Sequence, residues 1–184
     1  IFRVEKEKRQ QITNKFAEEF EIANELNNPI STYSHGMKQK LALISAFMHE
    51  PKLLILDEPF VGLDPKSSFI VKQEMKKMCE AGSAIFFSTH ILEVAEKLCN
   101  KIAIIKNGEL VITYEYDKLN RLVRENNLNF GKTWFYKYDN NGNVLGKTEA
   151  NYTLGDVIYI TPLAECNYDG DMLMVCNGSA FTYD

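Results

Sequence analysis

A chain of 184 residues allows one domain or one and a half, and its apolar and charged fractions are those of an ordinary globular protein. A net charge of −4 gives no reason to expect nucleic acid as a partner. The longest apolar run falls far short of the roughly 20 residues a membrane-spanning helix needs.

The two ends of the chain differ more than these totals suggest. Residues 1–111 hold 15 of the 21 Lys and Arg and 15 of the 25 Asp and Glu, leaving 6 and 10 for residues 112–184. Of nine tyrosines, only Tyr33 lies in the first stretch. Such a shift predicts two kinds of structure, with a boundary near Val111. Cys79, Cys99, Cys166 and Cys176 show no CxxC pairing and no metal-ligand spacing, so they read as reduced core thiols.

In chain order, residues 1–27 place Ile12, Phe16, Ala17, Phe20, Ala23 and Leu26 at helical spacing, and Asn27-Asn28-Pro29 breaks the helix. Ser34 is a good N-cap for a helix running through Leu41, Leu43 and Phe47. A Ser-x-Gly turn at a helix start aims backbone N–H groups and the positive end of the dipole outward, although an ordinary helix start has the same residues. Leu53-Leu54-Ile55-Leu56 then predicts a fully buried strand, with Asp57 and Glu58 at its carboxyl end and Pro59 terminating it. Open α/β sheets keep their ligands at such ends. Gly62-Leu63-Asp64-Pro65 makes a tight turn, Ser67–Glu80 a helix, and Ala84–Ser88 a second buried strand that leads to Thr89-His90. A helix over Ile91–Leu98 and a strand over Ile102–Ile105, turned by Asn107-Gly108, complete an α/β rhythm.

With these motifs in order, residues 1–111 resemble the C-terminal half of an ATP-binding cassette (ABC) transporter ATPase, similar to the subunits that serve bacterial ABC-2-type exporters. Tyr33-Ser34-His35-Gly36-Met37 matches the signature motif, Leu53–Glu58 Walker B, Gly62-Leu63-Asp64 the D-loop and His90 the H-loop histidine. His35 and Met37 depart from the commonest signature, Leu-Ser-Gly-Gly-Gln. The resemblance implies a partial P-loop NTPase domain that uses ATP and Mg²⁺. Asp57 would hold Mg²⁺, Glu58 would be the catalytic base, and His90 would contact the γ-phosphate and the attacking water. Ser34 and Gly36 would bind ATP held on the opposite subunit of a head-to-tail dimer, with Asp64 shaping that interface. It also implies a membrane permease as partner and a place on the cytoplasmic face of the cell membrane. No Gly-x-x-x-x-Gly-Lys-Ser/Thr loop occurs in the chain, and no Q-loop glutamine is identifiable, so the chain reads as a fragment that hydrolyses no ATP alone.

Residues 112–184 lose the helical rhythm. Ile112–Asp117 and Thr133–Asp139 alternate aromatic and β-branched residues with polar ones, and Asn141-Gly142-Asn143 predicts a hairpin turn. Tyr-x-Tyr-Asp ends both blocks, at Asp117 and Asp139, 22 residues apart, and Phe181-Thr182-Tyr183-Asp184 offers a third. The spacing predicts an antiparallel β repeat array. This stretch resembles the YD-repeat (Rhs-type) proteins, whose repeats build β shells around a toxin or bind cell surfaces. A chimera that joins two unrelated genes near Asn107–Val111 is a further expectation.

Overall fold

The computed structural model describes residues 4–157, 160–170, 172–177 and 179–180. Helices α1 (Lys6–Glu19), α2 (His35–Phe47) and α3 (Pro65–Glu80) accompany two short strands, β1 (Leu53–Leu56) and β2 (Ala84–Phe87). Helix α4 (Leu92–Leu98) follows, and then eight strands: β3 (Lys101–Lys106), β4 (Glu109–Tyr116), β5 (Leu122–Asn127), β6 (Lys132–Tyr138), β7 (Val144–Asn151), β8 (Thr161–Asp169), β9 (Met172–Cys176) and β10 (Ser179–Ala180). The mixed α/β beginning and the antiparallel continuation agree with the fold class expected from sequence. The chain divides between Val94 and Ala95 into two compact units.

In the first unit, α1 ends at Glu19, well before the Asn-Asn-Pro break. Glu21 adopts φ 61°, and the Ile22 N–H donates to the Ala17 carbonyl at 2.8 Å. That six-to-one closure is a left-handed helix cap, here formed by a residue other than glycine. Phe16, Ala17 and Phe20 of this helix end join Leu43, Ile44, Phe47, Leu54, Val71, Met75 and Met78 in one apolar core. Helix α3 starts earlier than the sequence suggested, because Asp64 caps it and Pro65 occupies the first turn, where a missing N–H costs nothing.

The two strands pair in parallel, with Leu53 opposite Ala84 and Leu56 opposite Phe87. They are not fully buried. Leu54, Leu56, Ile85 and Phe87 face the core, whereas Leu53, Ile55 and Phe86 are 58%, 67% and 60% exposed. An apolar run has no alternation to report how many of its faces are covered. Here only one is, among the described residues.

Among the described residues the second unit is an eight-stranded meander in which each strand pairs antiparallel with the next, β3 through β10. The strand over residues 102–105 therefore belongs to this sheet and does not extend the parallel pair. Asn107 and Gly108, at φ 52° and 81°, form the predicted two-residue turn between β3 and β4. Beneath β4–β6 the unit buries a polar network. The Asn126 amide donates to Thr113 Oγ1 at 2.6 Å and accepts from Thr133 Oγ1 at 3.0 Å, and Arg124 donates to the Thr153 and Gly155 carbonyls. Asn126 and Thr133 are wholly buried, so these bonds satisfy groups that would otherwise be left without water.

Cys166 and Cys176 correct the reduced-thiol expectation for that pair. They are direct partners across β8 and β9 and are joined by a disulfide.

Candidate functional site

The carboxyl ends of β1 and β2 lie side by side because the strands are parallel and in register. The Ser88 N–H donates to the Leu56 carbonyl at 3.0 Å, which places Ser88 beside Asp57. The Ser88 hydroxyl then donates to Asp57 Oδ1 and accepts the Glu58 N–H at 3.0 Å. One hydroxyl thus ties both acids to the neighbouring strand. Glu58 stands at φ 44°, a left-handed conformation that is costly for a residue with a side chain. The turn directs its carboxylate to His90, whose Nδ1 lies 2.9 Å from Glu58 Oε1. Asp57 is exposed, and Glu58 is partly so.

The residues after the acids are held by α2. Gln39 Nε2 donates to the Pro59 carbonyl at 3.2 Å. Gly36, in the first turn of α2, rests against Gly62, where an added Cβ would stand 2.6 Å from the Gly62 carbonyl oxygen. Gly62 in turn has φ 77°, and a Cβ there would meet His35 Cδ2 at 2.9 Å. Gly36 is required by this close approach, and Gly62 by its left-handed φ. The Ser34 hydroxyl caps α2, accepting from the Met37 N–H at 3.2 Å, as the sequence predicted.

Asp64 has a local task. It accepts from the Ser67 N–H at 2.8 Å and the Ser67 hydroxyl at 2.7 Å, and it pairs with Lys40 Nζ at 2.7 Å. Lys40 also donates to the Phe20 carbonyl, so α1, α2 and α3 meet at one ammonium group. The hydrogen bond from Lys40, followed by those from Ser67, holds the Asp64 carboxyl well below the ordinary carboxylate range.

Of the six residues singled out from sequence, Asp57, Glu58 and His90 come together at the strand ends. Gly36 sits on the loop that follows them, Ser34 caps α2, and Asp64 caps α3. Ser88, Gln39 and Lys40 escaped notice. Ser88 had a signal, since it follows the second apolar strand as Asp57 follows the first. Among the described residues there is no group of three or more His, Cys, Asp or Glu side chains placed to hold a metal. A single exposed carboxylate at a strand end still fits Mg²⁺, which keeps most of its waters and takes one or two carboxylates beside phosphate oxygens. No helix of the described residues is long and apolar enough to cross a membrane.

In the second unit, the Tyr-Asp motif acquires a structural meaning. Asp117 Oδ1 accepts the N–H groups of Leu119 and Arg121, and Asp117 Oδ2 accepts from the Arg121 side chain. Asp139 repeats the pattern with Asn141, Asn143 and the Asn143 side chain. Each aspartate closes a hairpin turn onto residues two and four positions ahead. Hydrogen bonds from Arg121, its backbone first, hold the Asp117 carboxyl below its usual range. At Asp139, desolvation works the other way, and the Asn143 side chain and backbone outweigh it. The turns are also linked to one another: Arg121 Nη1 donates to the Asp139 carbonyl and Asn143 Nδ2 to the Gly170 carbonyl. Asn143 thus reaches the residue that follows another Tyr-Asp pair, Tyr168-Asp169 at the end of β8, which the spacing of the first two blocks did not predict. The block that the spacing favoured, Phe181–Asp184, lies outside the described residues.

Comparison with known proteins matches both parts. A family model described as ABC transporter covers residues 2–61, and one described as Teneurin YD-shell covers residues 78–184. The chain is 35% identical over 119 residues to the uncharacterized ABC transporter ATP-binding protein YhcH of Bacillus subtilis (strain 168), covering 64% of this chain and 37% of that protein. It is 43% identical over 97 residues to YxlF of the same strain, another uncharacterized ABC transporter ATP-binding protein, covering 53% and 32%. The linearmycin resistance ATP-binding protein LnrL, also of that strain, is 38% identical over 90 residues, with 49% and 29% covered. The solved structure of an ATP-binding subunit of an ABC transporter aligns with a TM-score of 0.55 at 31% identity, over 69% of this chain and 48% of that one. The chain spans about a third of the length of these curated relatives.

Proposed function

We propose, for a chain that joins an ABC transporter ATP-binding segment to a stretch belonging to the Teneurin YD-shell family (residues 78–184), that its first part supplies one side of an ATP-hydrolysing site. The observation that carries this reading is the meeting of Glu58 with His90 at 2.9 Å beside Asp57, at the carboxyl ends of two parallel strands. In this reading Asp57 would hold Mg²⁺, Glu58 would polarise the attacking water, and His90, which meets the Glu58 carboxylate, would contact the γ-phosphate and that water. The bound Mg²⁺-nucleotide would supply the phosphoryl group and most of the charge neutralisation. Ser34 and Gly36 would bind ATP carried by a second subunit, and Asp64 would help shape the interface between the two subunits. A second ATPase subunit and a membrane permease are the proposed partners, at the cytoplasmic face of the membrane.

The loop that would cradle the phosphates is not in the sequence, so the chain by itself turns over no ATP. Phosphate release from the purified chain with Mg²⁺ and ATP should stay at the buffer rate. Turnover that Glu58→Gln abolishes would overturn this.

For the stretch beyond a boundary at Val111 we propose a structural or binding β-repeat module. The repeated aspartate turns at Asp117 and Asp139 support that reading, and the change of matching family between residues 61 and 78 supports a history in which two genes were joined. Limited proteolysis that releases a stable fragment holding residues 112–184 together with β3, the strand that β4 pairs with, would support that module, and cleavage only within residues 112–184 would count against it.

A further inference from the structure

The Cys166–Cys176 bond joins β8 to β9, the last two long strands of the meander among the described residues. β8 is paired on both sides, to β7 and β9, and β9 pairs with β8 and, among the described residues, with the two-residue β10. The two cysteines stand directly opposite each other, their Cα atoms 4.0 Å apart and 10 positions apart in the chain. Between them lies the Tyr168-Asp169-Gly170 turn, whose Gly170 carbonyl receives the Asn143 side chain. Cys166 is 8% exposed, while Cys176 is only half-buried.

We propose that this pair is a thiol–disulfide switch that sets the order of the β8–β9 hairpin, and that external thiols reach it through Cys176. A small thiolate such as glutathione attacks Cys176 Sγ, the protein S–S bond breaks, and Cys166 leaves as a thiolate that is protonated by water. A second glutathione thiolate attacks the mixed disulfide, which frees the Cys176 thiolate and forms glutathione disulfide. Two glutathiones are oxidised by two electrons in total, and the protein disulfide is reduced to two thiols. The reverse path, with glutathione disulfide as oxidant, re-forms the bond, and Cys166 resolves the adduct on Cys176. A ring of this size removes loop entropy worth roughly a hundredfold in the opening equilibrium of the hairpin.

The test equilibrates the intact chain across ratios of reduced to oxidised glutathione. Samples are acid-quenched, alkylated with N-ethylmaleimide and mapped by mass spectrometry, with amide exchange followed in parallel. Cys166 and Cys176 should gain and lose alkylation together, and exchange over 161–170 and 172–176 should be up to a hundredfold slower in the oxidised form. Cys166→Ser should collect a glutathione adduct at Cys176, and Cys176→Ser far less at Cys166. Independent alkylation of the two cysteines at every ratio, or identical exchange in both redox forms of the unmutated chain, would sink the proposal.

Discussion

The imidazole of His90 and the carboxylate of Glu58 meet at 2.9 Å, although 32 positions separate them in the chain. Parallel pairing of β1 and β2 sets the two strand ends level, and the left-handed turn at Glu58 closes the remaining gap. Ser88 then fixes both acids from the neighbouring strand.

That turn has a measurable cost. Replacing Glu58 with Gly should raise stability by about 1 kcal/mol, because glycine adopts φ 44° without penalty and an exposed side-chain hydrogen bond contributes little. Glu58→Gln keeps the strained backbone and should leave stability nearly unchanged. Urea midpoints compare the two, and a Gly variant no more stable than the Gln variant would show that the turn stores no strain.

The seat of α2 on the loop after the acids depends on two glycines. Gly36→Ala pushes a methyl group to within 2.6 Å of the Gly62 carbonyl oxygen, and the backbone must move. We expect a loss of about 1–3 kcal/mol, the range for overpacking. Gly62→Ala should lose about 1–2 kcal/mol through its positive φ, because the exposed His35 ring it meets can turn away. Thermal melting of both variants checks the pair, and a wild-type melting temperature for either one contradicts the observed geometry.

Asp64 links stability to pH. Its folded carboxyl titrates below the unfolded one, so its contribution is complete above the ordinary carboxylate range and fades as pH falls through the lowered folded value. Asp64→Ala should cost about 1–2 kcal/mol at neutral pH through loss of the α3 cap. The gap between wild type and variant should narrow below about pH 4, where the unfolded carboxyl takes up its proton. Denaturation midpoints at pH 7 and pH 3 test this, and a gap that widens in acid would reverse the sign.

The aspartate turns of the second unit make a paired prediction. Asp117→Ala should speed amide exchange at Leu119 and Arg121, and Asp139→Ala at Asn141 and Asn143, each by about tenfold or more. An effect spread evenly over the sheet would mean the aspartates act through net charge and not through their turns.

The uncovered face of the parallel pair should bind an apolar dye. Ile55→Ser and Phe86→Ser should each lower dye fluorescence without loss of far-ultraviolet helix signal. Unchanged fluorescence in the double variant would place the bound dye elsewhere.

Local features were the most legible in the sequence. Ser34 as a cap, the strand at Leu53–Leu56 and the Asn107-Gly108 turn each depend on a few adjacent residues, and each appears where expected. The end of α1 was misplaced because Glu21, not glycine, takes the left-handed cap. The role of Ser88 and the Cys166–Cys176 pairing depend on strand register, which links distant residues and leaves no local trace. The Tyr168-Asp169 turn was hidden by its spacing, 30 positions after Tyr138 where the earlier blocks stand 22 apart. Of the candidate site, the two acids and the histidine were legible as strand-end residues. Their mutual distance was not.

Each aspartate turn reaches forward to the next, Arg121 to Asp139 and Asn143 to Gly170, and this gives the array a direction. A turn closed by its own aspartate is also braced by a side chain of the turn before it, so each repeat supports its successor. Duplicating a whole repeat preserves every hand-off. Inserting half of one leaves a donor facing the wrong carbonyl. Length variation in such a chain should therefore come in complete repeats.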